Sequence, residues 1–277
     1  MEVKTNKALI EKIKKIVHIA LPFPMLVEKY WPRVREEGLS LEVGLDHQTL
    51  DRYRLKDIRS MAQKLFKAGI ACTVHAPFSD LSPGAFDLLV RRASIRRLEQ
   101  GLRAARYFRP QVVVLHSGYH PGYHRERISE WQKMVVEALK RLVEIAERYQ
   151  LKLALENVFE PEPRVLTGIV EEIDSPYLGY CFDAGHAFAF AKSSWEPWLE
   201  AFKRRLFEMH LHDNDGSWDD HLPPGQGKIP FLSIFQFLKR HDLRPSFTFE
   251  AHREEDVWPG LVYLAEALNQ TGLLDLT

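Results

Sequence analysis

Short apolar runs punctuated by Gly and Pro alternate along this chain with longer stretches of helical spacing. Ile16 to Leu21 is an apolar run stopped by Pro22 and Pro24, which predicts a strand and a turn. A helical segment with Trp31 and Arg33 to Glu37 then reaches Gly38, and Leu39 to Gly44 alternates as a second strand. Leu55 to Lys67 sets Ile58, Met61, Leu65 and Phe66 on one helix face and closes at Gly69, the residue type that ends helices most easily. A third strand, Ile70 to His75, leads through the turn Asp80 to Gly84 into a helix from about Phe86 to Tyr107. The unit then recurs: strand Val112 to His116, helix Ile128 to Tyr149, and strands Leu151 to Glu156, Leu178 to Asp183, Leu206 to His212 and Ser246 to Glu250. A helix rich in Leu and Ala, Val257 to Leu268, closes the pattern.

Eight strand-helix units of about 35 residues predict one α/β domain over residues 1–277, a (β/α)8 TIM barrel. The competing doubly wound sheet would place a glycine-rich phosphate loop after its first strand, where this chain is proline-rich. The 38 basic and 38 acidic residues cancel, so no general field draws in nucleic acid or an anionic membrane. No apolar run approaches the roughly 18 residues of a membrane span, and the start, MEVKTNKALIEKIKK, lacks a signal-peptide core, so a cytoplasmic protein is expected. Cys72 and Cys181 sit inside apolar runs and read as reduced, buried thiols.

The strand ends change the picture. In a TIM barrel the C-terminal ends of the strands surround the active site, and six successive strands here end in His75, His116, Glu156, Asp183, His212 and Glu250. His186 and the pair Asp219 and His221 lie on the loops just beyond. One such residue is ordinarily a satisfied polar terminus; six in succession require another explanation. Neutral imidazole and carboxylate are the usual ligands of zinc, manganese or cobalt. Glu156, Asp183, a histidine and Glu250 would form a four-ligand shell. The stretch Met209 to Ile229 (MHLHDNDGSWDDHLPPGQGKI) concentrates this chemistry, since His210 and His212 alternate with apolar neighbours and fall on one strand face. Phe78, Tyr119 and Trp218 could supply aromatic walls. Arg91, Arg92, Arg96, Arg97, Arg103 and Arg106 crowd one helix and read as a solvated outer face, while loops Ser79 to Phe86 and Pro121 to Arg125 are short and not notably basic.

The runs VHAPF, VVLHSG, LALEN, CFDAGH, MHLHDND with HLPPGQGKI, and FTFEAH resemble the xylose-isomerase-like TIM-barrel superfamily, from about Ile70 to His252. That superfamily includes sugar isomerases and epimerases as well as endonuclease IV. The resemblance to the epimerases implies metal ligands at Glu156, Asp183, His212 and Glu250. The resemblance to endonuclease IV implies further positions of a three-zinc cluster at His75, His116, His186, Asp219 and His221. The family's ligand histidine precedes an acidic residue by three positions; both His210 (to Asp213) and His212 (to Asp215) comply, and His212 is preferred, with His210 deeper as a supporting or packing residue.

The activity implied is a divalent-metal-dependent isomerase or epimerase of a sugar or sugar phosphate. One ion of manganese, cobalt, magnesium or zinc per chain is expected, with Glu156 and Glu250 moving a proton through an enediolate while His186 and His221 hold hydroxyls. The alternative is phosphodiester hydrolysis at abasic DNA or another phosphoester with up to three zinc ions, which the weakly basic loops disfavour. A non-catalytic binding subunit would be expected to have lost an acid/base carboxylate, and both are present. The partner expected is a small carbohydrate, without a membrane; self-association is left open.

Overall fold

The structure is a computed structural model and describes residues 7–274. Eight parallel strands close into a barrel in chain order: β1 (Val17–Pro22), β2 (Leu41–Gly44), β3 (Cys72–His75), β4 (Val113–His116), β5 (Leu153–Glu156), β6 (Leu178–Asp183), β7 (Leu206–Leu211) and β8 (Ser246–Phe249). The seam is β8 against β1, with Val17 opposite Phe247 and Ile19 opposite Phe249. The TIM barrel expected from the sequence is the architecture observed.

Several strands start later than their apolar runs, for one recurring reason. The amides of Leu39, Ile70 and Leu151 bond back to Val34, Leu65 and Ala146 at 3.3, 3.1 and 2.9 Å. In each case the intervening residue, Gly38, Gly69 or Gln150, has a left-handed φ of 67°, 69° or 56°. These are helix-terminating bonds, so the first apolar residue of each run caps the preceding helix before the strand begins.

The helices Leu55–Lys67 and Ile128–Tyr149 fall where the spacing predicts. Leu88–Ala105 is shorter than predicted because Asp87 caps its start, accepting from the amides of Leu89 and Val90 at 2.8 and 3.1 Å. The sequence reading does not place Arg164–Ile173, Glu196–Phe202 and Phe231–Arg240, which follow β5, β6 and β7. Phe66, predicted to be buried, is 62% exposed and lies under the Arg109 guanidinium.

Strand alternation sorts the side chains into two environments. Leu41, Val43, Val74, Leu115, Leu155, Phe182, Leu211 and Phe249 join the buried layer beneath the helices. The opposite face carries Glu42, Thr73, Val114, Ala154, Cys181, Glu208, His210 and Thr248, all buried. Glu42 on β2 meets His210 on β7, strands that are not neighbours, so this contact crosses the lumen. Both cysteines are buried and free, and burial pushes the Cys72 thiol up to about 12. Among the described residues no helix is long and apolar enough to cross a membrane. The arginine-rich helix spends its charge locally: Arg97 pairs with Asp51 at 2.8 Å and Arg106 packs over Tyr107 and Tyr149.

Candidate metal centre

His75, His116, Glu156 and Asp183 are the last residues of β3, β4, β5 and β6. His212 and Glu250 fall one residue beyond β7 and β8. Alternation turns all six to the lumen, where His75, His116, Glu156 and Glu250 line a cavity of about 1000 Å³ and Asp183 and His212 lie buried beside them. His186, expected on a loop, sits in the short helix Ala184–Ala189 directly after β6, and with the loop pair Asp219 and His221 it closes over them. Every candidate named from the sequence is therefore brought into one cluster.

Glu156 is its hub. One carboxylate oxygen, Oε2, lies 3.2 Å from His75 Nε2 and 3.0 Å from His116 Nε2. The other, Oε1, lies 3.2 Å from His186 Nδ1 and 3.4 Å from His210 Nδ1. His210 Nδ1 also stands 3.8 Å from Asp183 Oδ2 and 3.3 Å from Glu250 Oε1. The sequence reading sets His210 behind the site; in the structure its ring faces three carboxylates. His212 Nε2 is 2.9 Å from Asp183 Oδ2 and 3.8 Å from Glu250 Oε2. On the outer flank Asp219 Oδ2 is 3.3 Å from His186 Nε2 and 3.0 Å from His221 Nε2.

Backbone carbonyls orient three of these rings. The Nδ1–H of His75 donates to Ala76 O at 2.8 Å, that of His186 to Asn157 O at 3.0 Å, and that of His221 to Glu250 O at 3.3 Å. Each bond leaves Nε2 facing a carboxylate, Glu156 for His75 and Asp219 for His186 and His221. Asn157, next to Glu156, also ties β5 to β6, donating to Asp183 O at 2.8 Å and accepting from Asp183 N at 2.9 Å. The loop after β7 is organised by buried Asp213, which accepts from the amides of Asn214, Gly225 and Ile229 at 2.9 to 3.0 Å. His221 is held there at φ 50°, a left-handed conformation stabilised by its surroundings. Its ring stacks between His212 and His252, with centroids 3.8 and 3.7 Å away.

The charges are mutually enforced. Burial opposes ionisation of Glu156, but His210 and His116 outweigh it and hold its carboxyl well below the ordinary range. Asp183 is lowered in the same way by His186 and His212. Burial likewise opposes protonation of His75, yet Glu156 and Glu42 raise it to about 9. His210 and His186 are raised well above the usual imidazole value, by Cys181 and carboxylates at His210 and by Asp183, Asp219 and Glu156 at His186. Overlapping groups of ligand atoms close enough to hold an ion include His75, His116 and Glu156; Glu156, Asp183 and His210; Asp183, His212 and Glu250; and His186, His212, Asp219 and His221. His210 Nδ1, His212 Nδ1 and Asp219 Oδ1 are buried with no hydrogen-bond partner among the described residues. Orphaned donor atoms beside convergent carboxylates fit a divalent cation.

Sequence reasoning missed Glu42, Glu208 and His252. Glu208 accepts from Thr248 Oγ1 at 2.6 Å, and burial with Glu42 nearby pushes it up to about 8. Of the expected aromatic walls, Phe78 stacks on His116 with centroids 4.5 Å apart, and Tyr119, though largely buried, also lines the cavity. Trp218 is 66% exposed and outside the cavity lining. The wall beside β1 and β2 is apolar and built from Leu21, Pro22, Met25, Val34 and Val257. Among the described residues, the lysine and arginine side chains lining the cavity are Arg33 and Arg253. Arg33 pairs with Glu37 and Glu254, and Arg253 pairs with Asp256.

The family of xylose isomerase-like TIM barrels matches residues 37–270 of the chain. The protein MJ1311 of Methanocaldococcus jannaschii is 34% identical over 191 residues, 66% of this chain and 65% of its own length, so the chain spans just under two thirds of that relative. The inosose isomerase of Bacillus licheniformis is 31% identical over 131 residues, 43% of this chain and 47% of that enzyme. Among solved structures, a D-tagatose 3-epimerase-like protein superposes with a TM-score of 0.80 at 27% identity, covering 92% of this chain and 98% of the other. The TTHB071 protein of Thermus thermophilus, soaked with ZnCl2, gives 0.80 at 29% identity with the same coverage. Sugar isomerases and epimerases thus stand among the relatives of this chain.

Two outcomes follow from the geometry. His75 binds a proton more tightly folded, at about 9, than at its ordinary 6.5. In metal-free protein that contribution to stability is fully present below about pH 6.5 and lost as pH rises through about 9. Urea midpoints of the metal-free protein should fall across that window, and His75→Gln should flatten the fall. Secondly, a Cβ at Gly185 would land on the His212 ring. Gly185→Ala should cost about 1–3 kcal/mol in urea unfolding through overpacking.

Proposed function

The chain belongs to the xylose isomerase-like TIM-barrel family, and on that premise we propose that it is a divalent-metal-dependent isomerase or epimerase of a small carbohydrate. The observation that carries this reading is the convergence of Glu156, Asp183 and Glu250 on the unpartnered Nδ1 of His210. We assign these four as the ligands of one ion. His212, the histidine preferred from the resemblance, reaches Asp183 and Glu250 from the outer side and belongs to the adjoining ligand group.

A cation in that position supplies Lewis acidity, polarising a substrate carbonyl and acidifying the neighbouring C–H. Glu156 and Glu250 flank the same nitrogen from different strands, so a substrate above it has one carboxylate available to take a proton and another to return it. Return to the opposite face inverts the carbon, and return to the adjacent carbon isomerises the sugar. His186 and His221, with ring orientations fixed by backbone carbonyls, hold substrate hydroxyls through the imidazole edges near Asp219. Phe78 on His116 shields the Glu156 side from water. Because both arginines of the lining are already paired, the cavity suits a neutral sugar better than a phosphate ester.

A second reading, phosphoester hydrolysis at a centre of up to three zinc ions, is favoured by one observation: the overlapping ligand groups extend from His75 to His221. The paired arginines and the outward-facing arginine helix count against a polyanionic substrate.

Glu156→Gln and Glu250→Gln should each lower kcat on a free ketose by about 10²–10⁴-fold and suppress deuterium uptake from D2O at the reacting carbon. Near wild-type turnover in either variant would refute the two-carboxylate mechanism. Metal content of chelator-free protein, read by inductively coupled plasma mass spectrometry, should be close to one equivalent per chain. Three zinc equivalents together with cleavage of abasic DNA would establish the hydrolase instead.

A further inference from the structure

The rings of His75, His186 and His221 are oriented by backbone carbonyls on Nδ1, but His210 is arranged the other way round. Its Nδ1 faces the three carboxylates without a hydrogen-bond partner among the described residues, and its Nε2 lies 3.3 Å from Glu42 Oε2. Glu42 comes from β2, on the far side of the lumen from β7, and is 1% exposed. Thr73 Oγ1 donates to the same Oε2 at 3.4 Å and keeps that oxygen turned toward the ring. A buried carboxylate is costly unless it is bonded. With one oxygen shared by a hydroxyl and an imidazole N–H, Glu42 has a structural reason to stay where it is.

We propose that Glu42 is a positioning residue for the metal centre: it accepts the Nε2–H of His210 across the barrel and so fixes the tautomer that leaves the Nδ1 lone pair for the ion. The inference rests on the metal-dependent reading above and extends it to a cavity residue that groups with Glu208 and His210 rather than with Glu156. An imidazole that donates to a carboxylate is a stronger base at its other nitrogen, and its ring cannot rotate without breaking the bond. For His75, His186 and His221 a backbone carbonyl performs that task. His210 lies one pleat deeper than the strand ends, and there a side chain from across the lumen takes over.

The test has two readouts besides turnover. In 15N–1H correlation spectra of metal-free wild type, with His210 assigned by its loss in His210→Asn, the proton should sit on Nε2. A ring protonated on Nδ1 alone, with Nε2 bare, overturns the proposal. Glu42→Leu should mix the tautomers, weaken Co2+ binding by about 10–100-fold and shift the visible spectrum of the bound Co2+. Wild-type affinity with an unchanged spectrum would equally overturn it. Glu42→Gln keeps shape and an acceptor oxygen, so it should preserve the tautomer, move the Nε2–H resonance and recover most of the lost affinity. If Glu42→Leu does not fold, an unmoved Nε2–H resonance in Glu42→Gln is sufficient to reject the bond. Wild type that binds no Co2+ would overturn the metal-dependent function itself, while the tautomer spectra still decide the role of Glu42.

Discussion

Ionised carboxylates in a dry barrel lumen need positive partners, and the rest of the site follows from that requirement. Glu42, Glu156 and Asp183 are each within 1% of complete burial, where an unpaired ion costs several kcal/mol even after relaxation. Histidines delivered by β3, β4 and β7, with His186 from the short helix after β6, supply the compensation within 4 Å. Protons and a divalent cation would meet the same demand, so binding of an ion here would be linked to the protonation of these groups. The surrounding bonds of Asn157 and Asp213 hold those charges at contact distance rather than adding charges of their own.

Much of this was legible in the sequence because it follows from strand periodicity. A strand's last inward residue is fixed by alternation, so His75, His116, Glu156 and Asp183 could be placed without knowing anything about their neighbours. Helix ends were readable where Gly38 and Gly69 supply the left-handed residue. Strand starts differ from the apolar pattern where a residue such as Leu151 caps a helix while looking like strand. Contacts across the barrel were beyond reach. Glu42 in LSLEVG and Glu208 in LFEMHL are ordinary strand carboxylates by pattern, and only closure of the sheet sets Glu42 against His210. The rank of His210 relative to His212 was hidden for the same reason, since depth along a strand is visible in sequence while the opposite wall is not. Phe66 shows the converse failure: an apolar residue at helical spacing stays exposed, with the Arg109 guanidinium over its ring.

The relatives agree with the fold more closely than they agree with one another in chemistry. Barrels that superpose over more than nine tenths of this chain keep the frame, and the frame guarantees only that strand ends meet. Which reaction is performed depends on how many ions the ligands gather and what charge the walls accept. On both counts this chain carries a dense, anionic ligand field under a cavity rim whose arginines are neutralised by neighbours.

The uneven distribution of roles around the mouth has a consequence for how such a protein can diversify. From β3 to β8 every strand end or the residue just past it is committed to the ligand cluster, whereas β1 ends in Pro22 and β2 in Gly44 and neither contributes a ligand there. The wall of Leu21, Pro22, Met25 and Val34 is therefore an independently variable module. Mutational drift on that quarter of the rim can reshape what the cavity admits while the reactive centre is inherited intact.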